Sequence, residues 1–236
     1  MNKQILIILK LISFICVLGA FFVNAAEDSK KRVLILVSAY GGAAQPALNY
    51  DLEELAQVYL VLNDNGVEMD IVSPEGGAVY VHNKKDDLAY MQWFKHATQG
   101  LEKLNNTLAS KDIKPNDYDA LFIIGGDGAM FDLPIHQPTQ SLITYFAQSE
   151  HPVAAVCHGP AALVFIKDEI GKPYISGKQV NSFTRLEDNA FSSDVVGQFP
   201  FILQDKLEQV GAHFVSNRPM LPYVAESANL ITAQNP

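Results

Sequence analysis

Cysteine is scarce in this chain: 236 residues contain only Cys16 and Cys157, and Cys16 falls in a segment that reads as removable. A single remaining thiol can form no internal disulfide and no thiolate metal site. Positive charge is short as well, with 17 Lys and Arg against 26 Asp and Glu, a formal charge of −9. That balance excludes the basic footprint of a nucleic-acid binder and offers no attraction to anionic lipid. The six histidines include no pair at zinc-ligand spacing, so no metal is expected. Internal repeats and low-complexity tracts are lacking too, which leaves a small molecule or a protein as the expected partner.

What is present begins with "MNKQILIILKLISFICVLGAFFVNAAEDSKK". Lysines, a long apolar run and the small residues of "VNA" describe an export signal cleaved after Ala25, giving residues 1–25 as leader and 26–236 as the domain. The apolar stretch from Ile5 to Val23 is almost long enough to be a membrane anchor instead, but an anchor has no need of a cleavage site. Loss of Lys3 and Lys10 with the leader makes the remainder more acidic still. The expected location is periplasmic or secreted, with no lasting membrane association. About 210 residues remain, enough for one domain with its own core. The triplet "NNT" at Asn105 is a glycosylation acceptor if the host glycosylates.

Within the domain, "KRVLILVSAY", "VEMDIVS", "YDALFIIGG" and "PVAAVC" are apolar runs of strand length, as strands covered on both faces require. Between the first two lies "YDLEELAQVYLVLNDNG", an amphipathic segment closed by Asn65-Gly66. Strand, helix, strand implies a parallel sheet, and the fold class is α/β. Residues 79–116 are polar and are expected to add a helix or two on the rim, in place of a sheet strand, where they could cover a site. At about 100° per residue, Glu53, Gln57 and Asp64 share one side of the helix, and Glu54 shares its side with Val58 and Val61. A carboxyl in apolar company is either a functional group with a raised pKa or a boundary residue reaching out to water.

The stretch "HPVAAVCHGPAALVFI" places Cys157 at the end of an apolar strand, with Gly159-Pro160 opening the next helix. A strand-to-helix turn lifts a side chain over the ends of parallel strands, and helix amides would there favour the thiolate. A nucleophile elbow and a small buried thiol are the two readings. His158 is either an ordinary turn residue or a partner of the sulfur. Its N–H, with the amides of "GGDG" at Gly125 to Gly128, could form an oxyanion hole.

These blocks, together with "ISGKQVNSFTRLED" and "LITAQNP", resemble the ThiJ/PfpI superfamily, also called class I glutamine amidotransferase-like, over nearly all of residues 26–236. Within it they look most like the glutathione-independent glyoxalase (glyoxalase III) and stress-chaperone branch. The resemblance implies a flavodoxin-like three-layer α/β sandwich, often a homodimer, with Cys157 as nucleophile, His158 beside it and Glu54 as the helix carboxyl. It further implies oxyanion donors at the Gly126 and His158 amides, and cofactor-free conversion of 2-oxoaldehydes such as methylglyoxal to 2-hydroxy acids. The chain departs from the pattern at Asp127, where this branch commonly has histidine. It departs again at Arg185, where an acid or amide often supports the histidine, so that Glu187 or Asp188 would take over. The family's terminal helix is also absent after "NP", which would expose one sheet face. Competing readings are a cysteine amidase or peptidase, a thiol-oxidation sensor or holdase, and a member without activity.

Overall fold

The computed structural model describes residues 30–80, 88–97 and 99–235. The leader expected at residues 1–25 lies outside them. Lys31–Pro236 forms one compact unit. Its principal sheet is built from β1 (Arg32–Leu36), β2 (Glu68–Ser73), β3 (Leu108–Ala109), β4 (Ala120–Ile123), β5 (Val153–Val156), β8 (Val224–Ser227) and β9 (Leu230–Ala233). The strand order is β3-β2-β1-β4-β5-β9-β8, parallel throughout except for the outer β8–β9 pair. β6 (Gln179–Val180) and β7 (His213–Phe214) form a separate parallel pair.

Burial explains the unbroken apolar runs. In β1, Leu34 and Leu36 face one core with Leu121, Ile123 and Val153, while Val33 and Ile35 face a second core with Leu55, Tyr59 and Phe94. Both faces of the sheet are covered, and each buried Leu or Ile contributes about 1.5–3 kcal/mol by leaving water. Toward the outer edge, Val224 and Ile231 stay exposed.

Helix α1 (Leu52–Asp64) connects β1 to β2. Its first turn is capped by Asp51, whose carboxylate accepts from the Glu53 and Glu54 N–H groups, and it stops at Gly66 in the left-handed region, φ 71°. Glu54 is buried, as the helical face suggests, but its expected apolar company is corrected: Val61 is exposed. The buried face of α1 is Leu52, Glu54, Leu55, Ala56 and Tyr59. Glu54 is buried because it sits in the first turn, over the ends of the strands.

The polar insertion forms α2 (Ala89–Ala97) and α3 (Gly100–Asn105), followed by β3, which pairs with β2. The expectation of rim helices without a sheet strand is therefore corrected by one short strand. Met91 and Phe94 anchor α2 in the second core.

From β1 the chain moves outward to β2 and β3, then crosses back to β4 and β5 on the other side of β1. Such a reversal leaves a crevice at the carboxyl ends of the strands, where open α/β sheets place their ligands.

Candidate functional site

Three loops meet at that crevice: the one ending in Asp51, the Gly125–Asp127 turn after β4, and the Cys157–His158 turn after β5. They line a pocket of about 270 Å³ that includes Glu54, Gly126, Asp127, Cys157 and His158. It is small beside the ~300–1,000 Å³ typical of ligand pockets, which limits the occupant to a small molecule.

Cys157 leaves β5 with φ 56°, a backbone conformation that costs a residue bearing a β-carbon about 1–2 kcal/mol. Two bonds hold it there. Its N–H donates to Ala233 O at 2.9 Å, and its carbonyl accepts from the Phe183 N–H at 2.9 Å. The strand thus ends in a sharp turn as expected, but the turn leads into a five-residue 3-10 segment, Gly159–Leu163, in place of the expected α-helix.

The Glu54 carboxyl stands over the same turn. Its Oε2 accepts from the Gly125 N–H at 2.8 Å, and its Oε1 has no protein partner. A β-carbon added to Gly125 would lie 2.8 Å from Cys157 Cβ and 2.9 Å from Glu54 Oε2. The absent side chain at Gly125 therefore lets carboxyl and thiol share one small space. Burial pushes the Glu54 carboxyl well above the usual carboxylate range, and the Asp51 charge adds to the effect.

Cys157 is likewise pushed well above the ordinary thiol range, by burial first and then by Glu54, Asp51 and Asp127. This corrects the expectation of a helix-stabilised thiolate. A short 3-10 turn supplies little dipole, and burial with the nearby acids works against the charged form of the sulfur.

His158 lies directly alongside. Its Nδ1 is 3.6 Å from Cys157 Sγ and 3.5 Å from Asp127 Oδ1, and its Nε2 is 2.8 Å from Asp188 Oδ1. The ring packs against Phe183 and Phe199, with centroids 5.0 and 5.5 Å away. Burial alone would lower its pKa, but the Asp188 hydrogen bond and the Asp127 charge outweigh it and raise it.

The two candidate supports named from the sequence have separate duties. Asp188 holds His158. Glu187, in the first turn of α4 (Arg185–Phe191), completes a capping box with Thr184. Its other oxygen accepts from the Met220 N–H at 2.7 Å, from Gln234 at 3.0 Å and from Asn235 at 2.9 Å. Arg185 turns away to Asp205, so its departure from the family pattern leaves the histidine supported. Asp127 follows Gly126, whose φ of 91° suits glycine, and accepts a hydrogen bond from Ser192 Oγ at 3.1 Å. The Gly126 and His158 N–H groups are not used in the backbone hydrogen bonds of the described turns and loops. Sequence reasoning did not find Asp51, Ser192, Phe183 or Met220 as site residues. The Thr184-x-x-Glu187 capping box was the one local signal that could have placed Asp188 on a helical turn.

A mostly parallel α/β sandwich with a strained cysteine at a strand end defines the nucleophile-elbow class. The chain belongs to the DJ-1/PfpI family, whose model matches residues 47–236. It is 30% identical over 227 residues to the glutathione-independent glyoxalase hsp3101 of Schizosaccharomyces pombe, covering 88% of this chain and 91% of that protein. A match to hsp3103 of the same yeast is 32% identical over 163 residues, 66% of this chain but only 58% of that protein. Among solved structures, Rapid Encystment Protein 24 KDa of Francisella tularensis aligns with a TM-score of 0.78 at 28% identity, covering 87% of this chain and 92% of that one.

Proposed function

We propose that the protein is a glutathione-independent glyoxalase that converts 2-oxoaldehydes to 2-hydroxy acids through Cys157 and Glu54. The observation that carries this reading is the packing of a buried carboxyl and a buried thiol against Gly125, in a pocket at the sheet's carboxyl edge. The relationship to hsp3101 supports the same activity.

With methylglyoxal, Cys157 sulfur bonds to the aldehyde carbon, C1. The reacting form is the one with Glu54 ionised: the thiol proton passes through this carboxylate to the C1 oxygen, giving a hemithioacetal. The Gly126 and His158 amides steady the oxyanion as it forms. Glu54 then removes the C1 proton, the electrons move toward C2 as an enediol, the proton returns to C2, and the C1 hydroxyl proton passes to the C2 oxygen, leaving a thioester. C1 is oxidised and C2 reduced, so no outside oxidant is needed. Water adds to the resulting thioester, the C–S bond breaks, and the 2-hydroxy acid leaves with the thiol regenerated. A carboxyl with a raised pKa suits both the giving and the taking of protons. His158, held by Asp188, presents Nδ1 toward the sulfur and acts as an orienting and charge-stabilising partner.

The reaction run in D₂O tests the proton path. Lactate carrying deuterium at C2 supports transfer through Glu54. Wild-type lactate formation by Glu54→Gln, with protium retained at C2 in both proteins, removes the role assigned to that carboxyl. The leader at residues 1–25 makes this an activity of an exported protein, a reading that fails if cell fractionation finds the uncleaved chain inside.

A further inference from the structure

The pocket's mouth differs from its floor. Phe191 closes α4 and is 58% exposed, and Met220 is 50% exposed, yet both line the same pocket as Cys157. Phe183 and Met91 continue this apolar wall inward. Large apolar side chains left half in water at the entrance of a reactive cleft are what an apolar ligand group would cover.

Met220 has a second peculiarity. Its φ of 62° is the left-handed region, where glycine would sit without strain. The conformation is enforced by its N–H donating to Glu187 Oε1 at 2.7 Å, and Glu187 is itself fully buried. Gln234 and Asn235 donate to that same oxygen, so the anchor is over-determined. Strain that the surroundings hold in place beside a reactive group marks a side chain kept for what it does there.

Charge narrows the ligand further. The described lining includes Asp51, Glu53, Glu54 and Asp127 but no lysine or arginine. Among the described lining residues the one basic side chain, His158, is already engaged by Asp188 and Asp127, so a carboxylate or phosphate on the ligand would meet a surplus of acids.

We propose that Phe191 and Met220 form an apolar clamp that selects uncharged 2-oxoaldehydes bearing an aryl or bulky alkyl group over methylglyoxal and over carboxylate-bearing analogues. This rests on the glyoxalase reading and names the substrate class of the same site. The clamp leaves the chemistry at C1 and C2 unchanged and acts on the substituent beyond C2.

Initial rates with phenylglyoxal, methylglyoxal and 4,5-dioxopentanoate test it, with mandelate, lactate and 2-hydroxyglutarate as products. The expected kcat/KM for phenylglyoxal is about tenfold above that for methylglyoxal, and that for 4,5-dioxopentanoate at least about tenfold below. Phe191→Ser and Met220→Gly should each lower the phenylglyoxal-to-methylglyoxal ratio severalfold. Met220→Gly also relieves the backbone, so loss of its selectivity cannot be laid to misfolding. Conversion of methylglyoxal with a ratio near one, or variants that keep the wild-type ratio, overturns the clamp and leaves the glyoxalase reading intact. No product from any of the three overturns both.

Discussion

Gly125→Ala puts one methyl group into the tightest place in the site. The new carbon would stand 2.7 Å from Val156 O, 2.8 Å from Cys157 Cβ and 2.9 Å from Glu54 Oε2. Each neighbour must retreat by roughly half an ångström to reach ordinary contact, and packed interiors yield poorly. Two of the three are the Val156 backbone oxygen and Cys157 Cβ, fixed by β5 and by the hydrogen bonds that hold Cys157 in its left-handed turn. Overpacking of this kind costs about 1–3 kcal/mol. At about 2–4 °C per kcal/mol for a domain of this size, the melting temperature should fall by about 2–12 °C. Displacing carboxyl from thiol should lower kcat/KM about 10²-fold, more than the stability loss accounts for while the protein remains folded. Thermal unfolding followed by circular dichroism, beside 2-hydroxy acid formation below the transition, reads both effects. Wild-type melting and wild-type turnover in Gly125→Ala would refute the claim that Glu54 and Cys157 are held together over this glycine.

Electrostatics and backbone strain at the site give three more expectations. Iodoacetamide should alkylate Cys157 slowly at pH 7, with a rate still climbing above the ordinary thiol range, and Asp127→Asn should shift that profile downward in pH; an early plateau contradicts the acidic surroundings assigned to the sulfur. His158 has a folded pKa raised above its unfolded value, so its contribution to stability is complete below about pH 6.5 and is lost as pH rises through the folded pKa. Asp188→Asn should therefore destabilise most on the acid side of that window, and a pH-independent difference from wild type in urea unfolding would count against the pairing. At Met220, substitution by valine should cost about 1–2 kcal/mol because a β-branched residue resists a positive φ, whereas glycine should melt no lower than wild type. Equal melting of the two variants would mean the strain is not there.

The apolar runs that became β1, β2, β4 and β5 were legible because a strand covered on both faces has little choice of residue. Cys157 was legible for a related reason: Gly159-Pro160 cannot continue a strand, so the thiol had to lie at its end. β3, β6 and β7, two residues each, carry too short a pattern to stand out from loop. The environment of the thiol was legible only in part. Asp127 put an acid beside the elbow in the sequence itself, but the burial and the Glu54 and Asp51 carboxyls that contribute most to the upward shift reach Cys157 only through the sheet order. Adjacent acids posed a similar problem at Glu187 and Asp188. One turn of helix sends the first toward Met220 and the second toward His158, and sequence spacing does not say which way each points.

The measurement that bears most directly on the account is lactate formation from methylglyoxal by the purified protein without glutathione, beside Cys157→Ser and Glu54→Gln. The account predicts lactate from the wild type and a loss of at least about 10²-fold in each folded variant. A folded wild type that forms no lactate, or variants that form it at the wild-type rate, would contradict it.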